Sequence, residues 1–214
     1  MTTNAYFEQY YPLIKTVEEQ LELSIYRCLD ANTTSDKKLA KYISSRIKTP
    51  NSIEEKLKRK GFPTGINSAI ANLNDIIGIR ISVCFIGDVY LVKDILEQSG
   101  EFKILEKKDY ILNPKDSGYR SYHLIIETEI DDIKIRSEIQ LRTMAMDCWA
   151  SLEHKIRYKK DIDNIDFINL ELKKCSQSLL EADITMNRIR NLVEKTENFD
   201  NPMIESSMFK EICT

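Results

Sequence analysis

The sequence predicts an α+β fold, a mixed five-stranded sheet surrounded by helices. Three observations predict it. Residues 6–29 carry Leu13, Val17, Leu21 and Ile25 at four-residue spacing, the single apolar stripe of an amphipathic helix. Five later segments are short, rich in β-branched residues and bounded by Gly, Pro, Asn or Asp. Helical patterns separate the first three of these and follow the last, so strands and helices are interleaved without a strict βαβ alternation.

Taken in order, the helix over 6–29 gives way to a polar break at 31–36. Residues 42–48 read as a strand that Thr49-Pro50-Asn51 ends. Ser52 and Glu55 then form an S-x-x-E capping box, predicting a helix that runs to Gly61. Residues 79–86, between Gly78 and Gly87, are a strand, and 88–98 a helix stopped by Ser99-Gly100. Residues 102–111 are a third strand. After a polar loop at 113–118, residues 119–130 and 133–142 form an antiparallel pair around Asp131-Asp132. Two helices follow, over 143–158 and 164–196. The expected organisation is one domain over 1–197 and a tail over 198–214 that carries Pro202 and little periodicity; such a tail is expected to be mobile or to dock on a partner subunit.

Composition narrows the function classes. A formal net charge of -3 gives no global attraction to nucleic acid or acidic lipid, so any polyanion site must be a local basic cluster. No apolar run approaches the ~20 residues of a membrane helix, and the first residues lack the pattern of a signal peptide. The five cysteines are dispersed and form no C-x-x-C, which fits reduced thiols in a cytoplasmic protein. With His123 and His154 the only histidines, a metal site built from several histidines is excluded.

Chemistry concentrates on the strands. In 133–142 one face carries Ile133, Ile135, Ser137, Ile139 and Leu141; the other carries Lys134, Arg136, Glu138, Gln140 and Arg142. Tyr119, Ser121 and His123 share a face of the preceding strand, and Arg46 and Lys48 a face of the first. Ser52, Lys56 and Arg59 line one side of the helix after it. Each of these alone is an ordinary solvated surface; together they suggest a cleft over the sheet. Asp75, just before Gly78-Ile79-Arg80, is either a turn cap or, with Glu138, one of two carboxylates for Mg²⁺. Lys115 lies in a loop rich in groups suited to a nucleotide. Trp149 is expected in the core, and His154 as a structural hydrogen-bonding residue.

These segments resemble the synthetase domain of the RelA/SpoT family, in particular its small stand-alone members of the RelQ type. The resemblance rests on Ser44-Ser45-Arg46-Ile47-Lys48-Thr49-Pro50-Asn51-Ser52-Ile53, on Asp75-Ile76-Ile77-Gly78-Ile79-Arg80, on Lys108 to Lys115, on Ser117-Gly118-Tyr119-Arg120-Ser121-Tyr122-His123, and on Glu138-Ile139-Gln140-Leu141-Arg142-Thr143 with Met146 to His154. Five motifs in the family's order cover roughly residues 6–196.

The resemblance implies a nucleotidyltransferase-like fold and transfer of pyrophosphate from ATP to the 3′-hydroxyl of GDP or GTP, with GMP a further candidate acceptor. It implies Arg46 and Arg80 on the two faces of adenine, and Lys48, Ser52, Lys56 and Arg59 on the ATP phosphates. Asp75 and Glu138 would hold Mg²⁺, and Glu138 would draw the proton from the acceptor hydroxyl. Tyr119 would stack on guanine, Lys107, Lys115 and His123 would line the acceptor site, and Gln140 and Glu153 would support the cleft. The stretch Glu106-Lys107-Lys108-Asp109 is the basic version of a motif that is acidic in some long relatives. The family's hydrolase needs several histidines and a His-Asp pair, which this sequence lacks, so synthesis without hydrolysis is expected. The resemblance also implies a homotetramer built on terminal helices, with the stripe at Leu13, Val17, Leu21 and Ile25 equally suited to packing on its own domain. Relatives bind an alarmone effector and single-stranded RNA, which makes both candidate partners. Two other functions compete: a toxin that pyrophosphorylates the 3′ end of tRNA, which would need a basic path for the tRNA backbone, and a catalytically silent nucleotide or RNA sensor. A purely structural oligomerisation domain would leave the polar sheet faces unexplained.

Overall fold

A computed structural model describes residues 6–7, 10–33, 39–157 and 164–197; the expected tail lies outside them. Five strands form one sheet in the order β1-β2-β5-β4-β3, with β1 at Ala40–Ile47, β2 at Ile77–Val83, β3 at Lys103–Asp109, β4 at Tyr122–Ile130 and β5 at Ile133–Thr143. Only β2 and β5 run parallel; the other neighbours are antiparallel. The mixed α+β architecture expected from the sequence is the one observed.

Helix α1, Tyr11–Ala31, starts with a proline in its first turn, where the missing N–H costs nothing. Val17, Leu21 and Ile25 are buried as the stripe required, while Ile14 rather than the half-buried Leu13 completes it. That stripe therefore packs on its own domain. Helix α2, Pro50–Arg59, is capped by Thr49, whose Oγ1 accepts from the Ser52 backbone N–H at 3.4 Å, with Pro50 in the first turn. This corrects the expected Ser52–Glu55 capping box by three residues: Pro50 has its φ preset for a helix, so the turn begins as soon as Thr49 can cap it. The short helix α3, Ile66–Asn72, was not expected; it buries only Ala69 and so leaves no apolar period to read. Helices α4, Ile86–Gln98, α5, Met144–Arg157, and α6, Ile165–Glu197, complete the fold. The second strand ends at Val83, earlier than its apolar run suggested, because Ile86 already belongs to α4. The β4–β5 hairpin turns through Asp131 and Asp132, both at positive φ, as a two-residue primed turn requires.

Sheet register divides the two faces. Lys107, Leu124, Ile139, Ile79 and Ser45 are cross-strand neighbours in one row. Its two ends touch helices, since Ser45 Oγ donates to Glu22 of α1 and Lys107 Nζ to Glu97 of α4. Helices α1 and α4 therefore cover this face, and Ile79, Leu124 and Ile139 beneath them are at most 1% exposed. The adjacent row, Lys108, His123, Gln140, Arg80 and Ser44, projects from the opposite face. Residues 86–98 and 144–157 close the far end of the sheet together with α6, which is held at Gly87, where a Cβ would stand 2.9 Å from the Asn187 and Arg190 side chains.

Candidate active site

The open face of the sheet forms a cleft of about 200 Å³ lined by Ser44, Arg46, Lys48, Asp75, Gly78, Arg80, Glu138 and Gln140. Its floor follows from the register. Arg46 of β1 lies opposite Gly78 of β2, and Gly78 opposite Glu138 of β5. Gly78 contributes no side chain, so Arg46 and Arg80, two residues apart on paired strands, flank an unfilled slot. A planar cation on each side of a slot is what gripping a flat ring requires.

At one end of the slot sits Asp75. Its Oδ2 accepts from Lys48 Nζ and Lys56 Nζ, each at 2.7 Å. Lys48 is held there by the main chain, its N–H donating to the Ile76 carbonyl at 2.8 Å, and Lys56 projects from the second turn of α2. Burial would raise the Asp75 carboxyl, but the two ammonium groups outweigh it and hold it below the ordinary range. Oδ1 of the same carboxylate is buried and has no hydrogen-bond partner.

Glu138 closes a five-membered ring of side chains. Its Oε1 accepts from His123 Nδ1 at 3.0 Å, and His123 Nε2 meets the Tyr119 hydroxyl at 2.8 Å. Arg142 Nη2 donates to that hydroxyl at 2.6 Å and to Gln140 Oε1 at 2.7 Å. Gln140 Nε2 returns to Glu138 Oε2 at 2.5 Å. Arginine only donates, so the Tyr119 hydroxyl accepts from Arg142. A carboxylate only accepts, so His123 donates its Nδ1–H to Glu138. Burial would raise Glu138, but the His123 contact, Gln140 and Lys56 hold it down at about 2.

Tyr119 lies against Trp149, Tyr110 and His123 in edge contacts. Lys115 Nζ sits 4.8 Å from its ring centroid and 4.7 Å from that of Tyr110. The loop bearing Lys115 closes on itself through Gly118, whose N–H donates to the Lys115 carbonyl at 2.8 Å. Gly118 has φ +92° and passes so close to α6 that a Cβ would stand 3.2 Å from its backbone. Desolvation lowers the Lys115 ammonium, Glu138 opposes this, and the cations Lys108, Lys56 and Arg142 add to it. The site is thus strongly positive locally, as a polyanion requires, in a chain whose net charge is -3.

The profile of the region found in RelA / SpoT proteins matches residues 45–163, more than half of the chain. The chain belongs to the RelA/SpoT family. It is 41% identical over 157 residues to the GTP pyrophosphokinase YwaC of Bacillus subtilis, covering 72% of this chain and 75% of that protein. Two solved structures of small alarmone synthetase 1 from Bacillus subtilis share its fold. The one bound to its product pppGpp has a TM-score of 0.75 at 29% identity, covering 89% of this chain and 97% of the other. The one bound to AMPCPP has a TM-score of 0.68 at 27% identity, covering 90% and 97%.

Among RelA/SpoT motif residues, the structure brings Arg46, Lys48, Asp75, Arg80, Glu138 and Gln140 together in the cleft. Lys56 and Tyr119 join them through Asp75 and the Glu138 ring. Ser52 and Arg59 are exposed on α2, Arg59 one turn beyond Lys56. Two expected acceptor residues stand apart in placement. His123 is 4% exposed and hydrogen-bonded to both Tyr119 and Glu138. Lys107 faces α4, paired with Glu97, and Lys108 takes the cleft position. The reason is a register shift between Ile104 and Glu106, which exchanges the faces of every later residue of β3. Glu153 is half-exposed on α5, one turn beyond the buried Trp149.

Three RelA/SpoT site neighbours escaped the sequence reading as functional residues. Lys108 did because of the bulge. Asp147, in the first turn of α5, accepts from Arg80 at 3.0 Å and from Arg142 at 3.1 Å on one oxygen. Tyr110 forms the second ring under Lys115. All three lie in stretches that carry the resemblance, but the contacts that bring Asp147 and Tyr110 to the site join distant segments.

Proposed function

We propose that this protein is an ATP-dependent GTP/GDP 3′-pyrophosphokinase. It moves the pyrophosphoryl group of ATP to the 3′-hydroxyl of GDP or GTP, forming a (p)ppGpp alarmone and releasing AMP. The observation that carries this reading is the alignment of a two-arginine slot, a lysine pair and a half-buried ionised carboxylate along one open sheet face.

In this reading Arg46 and Arg80 clasp adenine. Lys48, Lys56, Ser52 and Arg59, all at or on α2, hold the donor phosphates. Tyr119 presents its ring to guanine, and Lys115, a long side chain resting on that ring, moves aside to meet the acceptor's phosphates. The bond between the α- and β-phosphates breaks, the acceptor 3′-oxygen joins the β-phosphorus, and AMP leaves with the bridging oxygen. Such a transfer asks the protein mainly for positioning and charge. Glu138 accepts a hydrogen bond from the 3′-hydroxyl and takes its proton late, once the forming P–O bond has made that proton acidic. A carboxylate held at about 2 is a weak early base, which suits a loose transition state better than one that needs prior deprotonation.

The residues also fit Mg²⁺. The unpartnered, buried Asp75 Oδ1 and the carboxylate of Glu138 line the same cleft, and Mg²⁺ is commonly held by one or two carboxylates plus phosphate oxygens. When bound, the ion neutralises charge on the transferred phosphates. No described helix is long and apolar enough to cross a membrane. A cytoplasmic location is proposed from the nucleotides the enzyme would use. A homotetramer is the proposed assembly: Met186, Ile189, Leu192 and Val193 of α6 are 41–67% exposed and cluster at helical spacing.

The test is to mix the protein with Mg²⁺, ATP labelled at the β-phosphate, and GMP, GDP, GTP or tRNA separately. Label on a guanine nucleotide with release of AMP supports the reading and names the acceptor. Label on tRNA alone would replace it with the toxin reading, and nucleotide binding without transfer to any acceptor with the sensor reading.

A further inference from the structure

Arg142 is 4% exposed, and burying a permanent cation is costly unless its partners are fixed. Those partners are all at the site. Nη1 meets Asp147 at 3.1 Å, Nη2 meets Tyr119 and Gln140, and the guanidinium carbon lies 5.0 Å from the Tyr119 ring centroid. None is a core backbone carbonyl, as a purely structural arginine commonly has, and Nε is buried without a partner.

We propose that Arg142 is the positioning residue that locks the acceptor platform Tyr119 and, through Gln140, aims the Glu138 carboxylate. The inference rests on the pyrophosphokinase reading above. One guanidinium nitrogen serves both the Tyr119 hydroxyl and Gln140, so a displacement of the Tyr119 ring is transmitted to Glu138 Oε2. Acceptor stacking and carboxylate orientation are thereby set together: a base seated flat on Tyr119 finds Glu138 aimed, and a badly seated one does not. Through Asp147, whose same oxygen also holds Arg80 at 3.0 Å, the lock is braced against the donor slot. Lysine is a poor replacement, because a single ammonium on a shorter reach does not span hydroxyl, amide and carboxylate in one plane.

The experiment compares wild type, Arg142→Met, Arg142→Lys, Tyr119→Phe and the Arg142→Met/Tyr119→Phe double variant. GDP and AMPCPP binding are measured by calorimetry, transfer kinetics with labelled ATP, and folding by circular dichroism. Arg142→Met is expected to weaken GDP about tenfold, the scale of losing hydrogen bonds to a charged group, and to lower kcat, while AMPCPP affinity stays within about twofold. Tyr119→Phe keeps the ring and loses the tether; adding it to Arg142→Met should cost little more, because both remove one link. Arg142→Lys should recover part of the loss. Equal weakening of GDP and AMPCPP, wild-type behaviour of the Arg142 variants, or full additivity in the double variant would overturn the inference and leave the enzymatic reading standing. A wild-type protein that transfers label to no acceptor sinks that reading and the inference with it. Where Arg142→Met does not fold, Arg142→Lys and Tyr119→Phe decide the question on the same GDP-to-AMPCPP comparison.

Discussion

Lys56 Nζ lies 2.7 Å from Asp75 Oδ2, on the oxygen that also accepts from Lys48. The carboxylate proposed to hold the metal is thus engaged by two cations proposed to hold phosphate. Nucleotide binding would draw both lysines onto phosphate oxygens and release Asp75 to the metal. Mn²⁺, followed by electron paramagnetic resonance, should bind the free protein weakly and the AMPCPP complex far more tightly. Tight Mn²⁺ binding without nucleotide would contradict this exchange. Asp75→Asn should abolish transfer yet tighten metal-free AMPCPP binding a few-fold, since neutralising one partner frees two ammonium groups.

Glu138→Gln should remove transfer and leave AMPCPP binding largely intact. It should also change acid stability. The carboxyl ordinarily titrates at 4.5 and is held at about 2 in the folded protein. A depressed carboxyl stabilises the fold above its unfolded value and loses that contribution as pH falls through the folded one. The contribution is on the order of 3 kcal/mol at neutral pH, lost between about 4.5 and 2. Urea denaturation at pH 7 and pH 3 should show a smaller acid loss in the variant than in wild type; equal losses would mean that the His123 and Gln140 contacts do not hold the charge.

Tyr119→Ala should weaken GDP by about 1–3 kcal/mol, the scale of a base–aromatic stack, with a much smaller effect on AMPCPP. A rise confined to the ATP KM would place Tyr119 on the donor side instead.

Lys108 and Lys107 separate cleanly. Lys108→Ala should raise the acceptor KM several-fold, because Lys108 stands beside His123 on the cleft face. Lys107→Ala should leave kinetics unchanged and cost at most about 1 kcal/mol of stability, its partner being the half-exposed pair with Glu97. The reverse pattern in KM would show that the β3 bulge is absent in solution.

Asp183 is 1% exposed; its Oδ2 accepts from Thr143 Oγ1 at 2.5 Å and its Oδ1 has no partner. Burial raises the carboxyl to about 6, against the Thr143 hydrogen bond. A raised carboxyl stabilises most below its unfolded value, and the fold loses that stability as pH rises from 3.8 through about 6. Asp183→Asn should therefore stabilise by up to about 3 kcal/mol at pH 8 and by little at pH 4, as read from denaturation midpoints at both values.

Strand alternation made much of the site legible. The split of 133–142 into Ile135, Ser137, Ile139 and Leu141 against Glu138 and Gln140 is the burial pattern of β5, because a side-chain period of two is a local property of extended chain; only Arg142 of the polar set is buried as well. Local chemistry likewise marked the Asp131-Asp132 turn and the start of α2, to within three residues. The five ordered motifs marked the family. Two things were not local. The choice of Lys108 over Lys107 depends on one extra residue in β3, which flips every face after it while leaving the composition unchanged. The lock of Arg142 on Tyr119 and Gln140, and its brace to Arg80 through Asp147, join β2, β5, α5 and the loop before β4. Sequence alone determined which residues can carry charge and which faces are polar, since those follow from side-chain type and backbone period. Tertiary structure decided which of them meet, because hydrogen-bond distances across strands are set by register and helix docking, and neither is written in any single segment.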